Sequence, residues 1–313
     1  MIMHSGDQTL AIRALKNAAP YIRMYRGKTF VVKAGGGVFA DEASMRVLIE
    51  QLAILHYFGV RVVFVHGGGP QLTELAGALG VRTRMVEGRR VTDRQSIDVT
   101  AMVLNGTINT GILGICRELN IEAVGVSGVD AGLVRAHKRP PVKVESSGEV
   151  VDYGFVGDID EIDPTVLRKL LDNGLMPVVS PLSADDGGTL LNINADTVAA
   201  ALASALGAEK LILCTGAPGI LAELGDPGSL ISYTDLGGLK RLREEGRIAD
   251  GMLPKAKAIE AAIRGGVRRV HVVSYQAPEG ILGEVFTNEG TGTLIVEDVE
   301  ALTPAEQSAQ TSS

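Results

Sequence analysis

The sequence predicts an α/β fold with a mainly parallel central sheet, on three observations. First, β-branched apolar runs alternate with amphipathic stretches along almost the whole chain, the order that packs helices on a parallel sheet. Second, residues 30–37 (FVVKAGGG) and 61–71 (RVVFVHGGGPQ) both read as buried strands ending in glycine triplets, with a helical pattern between them, as in a βαβ unit. Third, hydrophobic residues make up 45% of the chain but aromatics only 4%, with no tryptophan, so the core must be aliphatic. The 39 glycines cluster at strand ends, which suggests loops that hold a ligand.

The bulk properties exclude several function classes. A chain of 313 residues forms one large or two modest domains. A net charge of −7 without a basic block argues against nucleic acid as a partner. Cys116 and Cys214 sit in apolar stretches outside any CxxC pattern, so they read as buried free thiols of a reducing cytoplasm. The five histidines have no metal-ligand spacing, so no protein-held metal is expected. No signal pattern and no run approaching 18 apolar residues is present, so no membrane partner is expected and the localisation reads as cytoplasmic.

Taken in order, residues 1–7 read as frayed and 8–24 as an amphipathic helix that Pro20 should kink or divide. This helix packs either on its own domain or on another subunit. In the first strand, Lys33 stands just before Gly35 and Gly36. Glycines at a strand end leave backbone N–H groups open to an anion, and Lys33 adds a point charge there. Glycines after a strand also serve as plain turns, but the second triplet, with Gly68 and Gly69, favours the anion site. Residues 42–58 form a helix with Leu48, Ile49, Leu52 and Leu55 on one stripe, and 70–79 form another that opens on the second triplet. Arg89 and Arg90 follow at the edge of the glycine site, then a helix over 93–119.

Apolar alternation over 133–144 and 150–156 predicts paired strands with a turn at 146–148, a hairpin able to cover a small substrate. A helix over 164–173, with Asp163 as its cap, precedes a buried strand at 176–180. In the stretch LLNINADT, Asn192, Asn194 and Asp196 alternate, so on a strand they share one face; otherwise Asp196 caps a helix over 197–206. A strand at 210–214 leads to Thr215, Gly216 and Gly219. Residues 233–247 read as helical. The segment GMLPKAKA, from Gly251, starts a helix with Lys255 at or near its first position. A lysine there opposes the helix dipole, and contact with an anion would account for it. Strands at 268–273 and 294–296 follow, and residues 303–313 read as disordered.

These segments together resemble the amino acid kinase family and, within it, the acetylglutamate kinases of arginine biosynthesis. The resemblance spans roughly residues 9–297, carried by FVVKAGGG, VVFVHGGGPQL, EGRRVTD, YGFVGDID, LLNINADT, KLILCTGAPGIL, GMLPKAKA and FTNEGTGTLI. It implies a three-layer αβα sandwich. It also implies ATP-dependent phosphorylation of the side-chain carboxylate of N-acetyl-L-glutamate to N-acetyl-L-glutamyl 5-phosphate, with Mg2+ accompanying ATP. By position, Lys33 and Lys255 match the lysines that stabilise the transferring phosphoryl group, and Asp196 matches the aspartate that orients them. Gly35 and Gly36 match its phosphate cradle. Gly68, Gly69, Arg90, Asn192 and Asn194 match the acceptor site, and Thr215, Gly216, Gly219 and Gly251 the nucleotide site. The implied organisation is an N-terminal helix (1–25), a substrate and dimerisation lobe (26–206), a nucleotide lobe (207–298) and a disordered tail (299–313).

The implied nucleophile is a carboxylate, ionised at neutral pH because its pKa is about 4. It needs no general base, which agrees with the lack of any catalytic-histidine pattern. The sequence departs from the family at Ala34 and Gly37, where Tyr and Asn are usual, at Gly216 for Asp, and at Arg89 for Leu. Glu279 aligns where arginine-inhibited members carry His, so arginine as an effector stays open, as does a dimer against a hexamer. Two other readings stay open too: a kinase for a related acyl amino acid, and a catalytically weak regulatory module of the same fold.

Overall fold

The computed structural model describes residues 5–86, 89–144, 148–223, 225–248, 250–287 and 290–299. In chain order, α1 (Ser5–Tyr25) leads to β1 (Thr29–Ala34), α2 (Glu42–Tyr57), β2 (Arg61–His66) and α3 (Gly69–Ala78). A short hairpin of β3 (Arg84–Val86) and β4 (Arg89–Val91) precedes α4 (Arg94–Ala101), a π-helical stretch (Met102–Asn109) and α5 (Thr110–Glu118). Then come β5 (Ala123–Ser127), β6 (Val134–Lys138), β7 (Val142–Lys143), β8 (Val150–Val151), β9 (Gly157–Ile162), α6 (Thr165–Asp172) and β10 (Met176–Ser180). Next are β11 (Leu182–Ala184), β12 (Leu190–Asn192), α7 (Ala195–Leu206), β13 (Lys210–Thr215), β14 (Tyr233–Asp235), α8 (Leu236–Glu244) and α9 (Leu253–Arg264). The last elements are β15 (Arg269–Ser274), α10 (Gly280–Phe286) and β16 (Thr293–Val296).

Eight strands form one sheet in the order β14-β16-β15-β13-β1-β2-β10-β5. All neighbours run parallel except β15 and β16. Strand pleating divides the aliphatic residues between two cores. Phe30 and Val32 of β1 face a core shared with α2, α5 and α10, whereas Val31 faces one shared with α6, α7 and α9. The predicted three-layer sandwich follows directly from that division. A smaller sheet, β12-β11-β6-β9, stands at one end.

The element boundaries correct several expectations. Pro20 neither ends nor divides α1. Lys16, whose carbonyl loses its usual donor at Pro20, is on an exposed face. The helix starts at Ser5, so 5–7 are not frayed, while 1–4 lie outside the described residues. Strand β6 pairs with β9, not with 150–156; only Val142 and Lys143 pair with β8. The sequence of β9, GDIDEI, hides its strand character because much of it faces solvent. Within 233–247, Tyr233–Asp235 is an edge strand, and Asp235 caps α8 by accepting from the Gly238 N–H at 2.7 Å. Ser146 and Ser147, in the expected 146–148 turn, and tail residues 300–313 lie outside the described residues.

Cys116 and Cys214 are buried free thiols, and burial pushes them up to about 11 and about 12. The continuous helical run 94–118 is long and apolar enough to cross a membrane by length and composition. Here it lies against the sheet, with Leu104, Ile112 and Cys116 in the core.

Candidate active site

The site lies at the carboxyl ends of the parallel strands, where α/β sheets bind ligands. Strand β1 delivers Lys33 there, 4% exposed, and the backbone then turns at Gly35 into a short 3-10 turn. Strand β2 ends in His66 and Gly67. The two glycine nests meet directly: the Gly67 N–H donates to Ala34 O at 2.9 Å, and the Gln71 side-chain amide donates to Gly36 O at 2.8 Å. A Cβ on Gly36 would come within 2.6 Å of Pro70 Cδ, so only glycine allows this contact. A Cβ on Gly68 would come within 2.6 Å of Ile108 Cδ1, which fixes the second nest against the π-helical stretch.

His66 is buried, and burial holds its imidazole down to about 4, so it is neutral at physiological pH. One ring nitrogen lies 3.2 Å from Asn109 Nδ2, and that amide also donates to Val178 O at 3.0 Å. His66 and Asn109 thus pin the second nest to β10.

The stretch 190–197 is not one strand. Strand β12 stops at Asn192, and Asn194 caps α7 by accepting from the N–H groups of Asp196 and Thr197 at 2.9 and 3.2 Å. The cap is therefore Asn194 and not Asp196. It shields both α7 donors while leaving Asp196 in the first turn, 3% exposed and aimed at β1. Asp196 Oδ1 is 2.7 Å from Lys33 Nζ, and its Oδ2 is 3.2 Å from Lys255 Nζ. Lys255 is the third residue of α9, which starts at Leu253, so it stands in the first turn, near the expected first position.

Two ammonium groups thus share one carboxylate. Burial works against ionisation of Asp196, but Lys33 and then Lys255 outweigh it and hold its carboxyl below the usual range. Burial pushes Lys33 below its ordinary value, Asp196 opposes that, and Lys255 adds to it. With both lysines as ammonium groups, the cluster holds one more positive charge than Asp196 balances, and an incoming anion would offset it.

A cavity of about 390 Å³ opens beside this cluster, lined by Lys33, Gly35, Gly36, Gly68, Gly69, Arg90, Asn192, Asn194 and Asp196. First-turn residues of α3, α7 and α9 all border it, so three helix N-termini bring their partial positive charge to one place. Arg90 is half-buried in the wall, and its guanidinium donates to Thr73 Oγ1 at 2.7 Å, Thr83 Oγ1 at 3.1 Å and Gly69 O at 3.2 Å. Arg89 also borders the cavity but is exposed.

Two cations escaped the sequence reading. Arg139 borders the cavity, held by Asp158 at 2.6 Å and lying over the Tyr153 ring. Lys257 stands on the rim. Residues two apart on a helix diverge, so Lys257 gave no signal beside Lys255.

The proposed nucleotide residues do not line this cavity. Thr215 is buried at the end of β13, its hydroxyl bonded to the Ala217 backbone. Gly219 packs tightly on Leu230 and Thr293, and Gly216 and Gly251 are exposed.

Comparison with known proteins places this geometry. Residues 28–274 match the amino acid kinase family. The chain is 47% identical over 289 residues to an acetylglutamate kinase of Myxococcus xanthus, covering 91% of this chain and 94% of that one. It is 42% identical over 282 residues to the acetylglutamate kinase of Symbiobacterium thermophilum, covering 90% and 96%. Among solved structures it resembles the N-acetylglutamate synthase of Neisseria gonorrhoeae complexed with coenzyme A and N-acetyl-glutamate. There the TM-score is 0.79 at 28% identity, over 92% of this chain but only 64% of the synthase.

Proposed function

The chain belongs to the amino acid kinase family, and from that premise we propose that it phosphorylates the side-chain carboxylate of N-acetyl-L-glutamate with ATP, a step of arginine biosynthesis. The observation that carries the proposal is the Lys33–Asp196–Lys255 cluster, two cations on one carboxylate, whose buried Lys33 and Asp196 stand on the wall of the cavity. The acceptor carboxylate and the γ-phosphate repel each other. Bringing them together needs fixed cations and oriented N–H groups, worth more in a sheltered site than in water. Lys33 and Lys255 neutralise the charge of the group in flight, Asp196 keeps both aimed at it, and Gly35 and Gly36 offer N–H groups to its oxygens. Arg90 meets a carboxylate of the acceptor through the donors that its structural bonds leave over. Gly68, Gly69, Asn192 and Asn194 complete the acceptor site. Residues 207–298 hold ATP, with Thr215, Gly216, Gly219 and Gly251 around it.

No group of three or more His, Cys, Asp or Glu side chains able to hold a metal converges among the described residues. Asp196, committed to two lysines, is the carboxylate at the cavity. Mg2+ in this reading therefore belongs to the MgATP substrate. The buried thiols fit a cytoplasmic location. Helix α1, with Ile12 57% and Leu15 58% exposed, fits docking of its outer face on a neighbouring subunit. A synthase of the same fold is described complexed with coenzyme A and L-arginine, which supports testing arginine as an effector here.

The test is a coupled assay of ADP release with N-acetyl-L-glutamate, N-acetyl-aspartate and N-acetyl-aminoadipate as acceptors. Turnover should be highest with N-acetyl-L-glutamate. No ATP turnover with any of the three would leave the regulatory-module reading standing instead.

A further inference from the structure

Three adjacent parallel strands, β15, β13 and β1, end side by side, and one side chain reaches from the end of the first past the second toward the third. Tyr275 follows β15 directly, and its N–H donates to Thr215 O of β13 at 2.9 Å. Its side chain then runs over β13 toward β1. A Cβ built on Gly216, just past β13, would lie 3.4 Å from Tyr275 Oη; one on Gly37, just past β1, would lie 2.7 Å from it. The hydroxyl is therefore wedged between two loops that carry no side chain at those points. Strands spaced about 4.8 Å apart put the β15 backbone roughly 10 Å from β1, so a tyrosine is among the few side chains long enough to reach.

The ring is anchored, since Tyr275 packs partly buried against the apolar core. Its hydroxyl, by contrast, has no hydrogen-bond partner among the described residues, while Gly37 and Gly216 beside it are exposed. A phenol held rigidly with its O–H unused, at the ligand-binding edge of a parallel sheet, is a donor waiting for a guest. Lys33, where a transferring phosphoryl group would sit, belongs to β1, the strand that leads to Gly37. We propose that the Tyr275 hydroxyl donates a hydrogen bond to a phosphate of the bound nucleotide, and that Gly37 and Gly216 keep the space for it open. This rests on the kinase reading above.

The test is calorimetric titration of the full chain with MgADP, together with steady-state kinetics, for the wild type, Tyr275→Phe and Gly37→Ala. Tyr275→Phe keeps the ring and the fold and removes only the donor. It should weaken MgADP binding and raise the KM for ATP about tenfold or more, leaving the KM for N-acetyl-L-glutamate and the thermal midpoint unchanged. Gly37→Ala, whose methyl displaces the hydroxyl, should act in the same direction. If wild type binds MgADP and Tyr275→Phe binds it equally well, the assignment is wrong while the kinase reading stands. If Tyr275→Phe loosens both substrates alike and lowers the midpoint, the residue is structural and the assignment is again wrong. A wild type that binds no MgADP and turns over no ATP overturns the kinase reading and this inference with it.

Discussion

Two buried charge clusters lie near opposite ends of the central strands, and they are built to different ends. At the carboxyl side, Lys33 and Lys255 share the single carboxylate of Asp196, and Lys33 and Asp196 border a cavity. At the other side, Lys210 begins β13 with its ammonium 3.0 Å from His271 Nε2, and His271 Nδ1 is 2.7 Å from Glu284 Oε1. Glu284 Oε2 accepts from the Thr291 and Gly292 N–H groups at 2.7 and 3.0 Å, and the Tyr25 ring covers the lysine. A neutral imidazole satisfies this whole chain: lysine donates to Nε2, and Nδ1–H donates to the carboxylate. The second cluster closes on itself and ties α1 and α10 to the sheet. The first is left one anion short. Burial of charge alone does not mark a site; what marks it is charge that the protein does not balance.

The largest expected effect falls on the closed cluster. Glu284→Ala strands Lys210 and two backbone donors in the core, so it should cost about 3–5 kcal/mol of stability, read as a fall in the denaturation midpoint. Lys33→Ala or Lys255→Ala should do the reverse. Each removes one of two like charges, so the midpoint should hold, while kcat falls about a hundredfold or more, on the order of 3 kcal/mol. If the Lys33 variant melted like the Glu284 variant, the contrast between the clusters would fail.

Arg90→Ala should raise the KM for N-acetyl-L-glutamate about tenfold with the KM for ATP nearly unchanged. Arg89→Ala, on the exposed rim, should do little. Swapped effects would shift the register of the acceptor wall by one residue.

A smaller effect separates the clusters by pH. Burial first, then Lys210, holds His271 down to about 4 from 6.5 against the pull of Glu284. Between those values the unfolded chain binds the proton and the fold does not, so stability falls as pH drops from 6.5 toward 4. His66, also held at about 4, acts in the same sense. Burial opposes ionisation of Glu284, but His271 and the two backbone donors hold it to about 2, which extends the loss below 4.5. His271→Gln should therefore reduce, not abolish, the slope of the midpoint between pH 6.5 and 4. An unchanged slope would mean that His271 is already charged in the fold.

The sheet and the first half of the site were legible because their signals are local. An apolar strand stopped by glycines marks an end open to an anion, and β1 and β2 both bring theirs to the cavity. What escaped depends on tertiary placement. Strand β9 has a polar sequence, and only its pairing with β6 makes it a strand. Arg139 and Lys257 are ordinary surface cations until β9 and α9 bring them to the cavity rim. Asn192, Asn194 and Asp196 were rightly grouped for a partly wrong reason. They meet at the cavity through a strand end, a cap and a first helical turn, and not through alternation on one strand. Tyr275 gave no signal at all, since its meaning lies in two glycines far from it in sequence.

The most direct test of the central claim is to trap the product. Wild type and Lys33→Ala are incubated with MgATP, N-acetyl-L-glutamate and hydroxylamine, and the acyl hydroxamate is measured against ADP. The account predicts hydroxamate and ADP in equal amounts from wild type, and about a hundredth of that rate or less from Lys33→Ala. ADP without hydroxamate, or equal hydroxamate from both proteins, would contradict it.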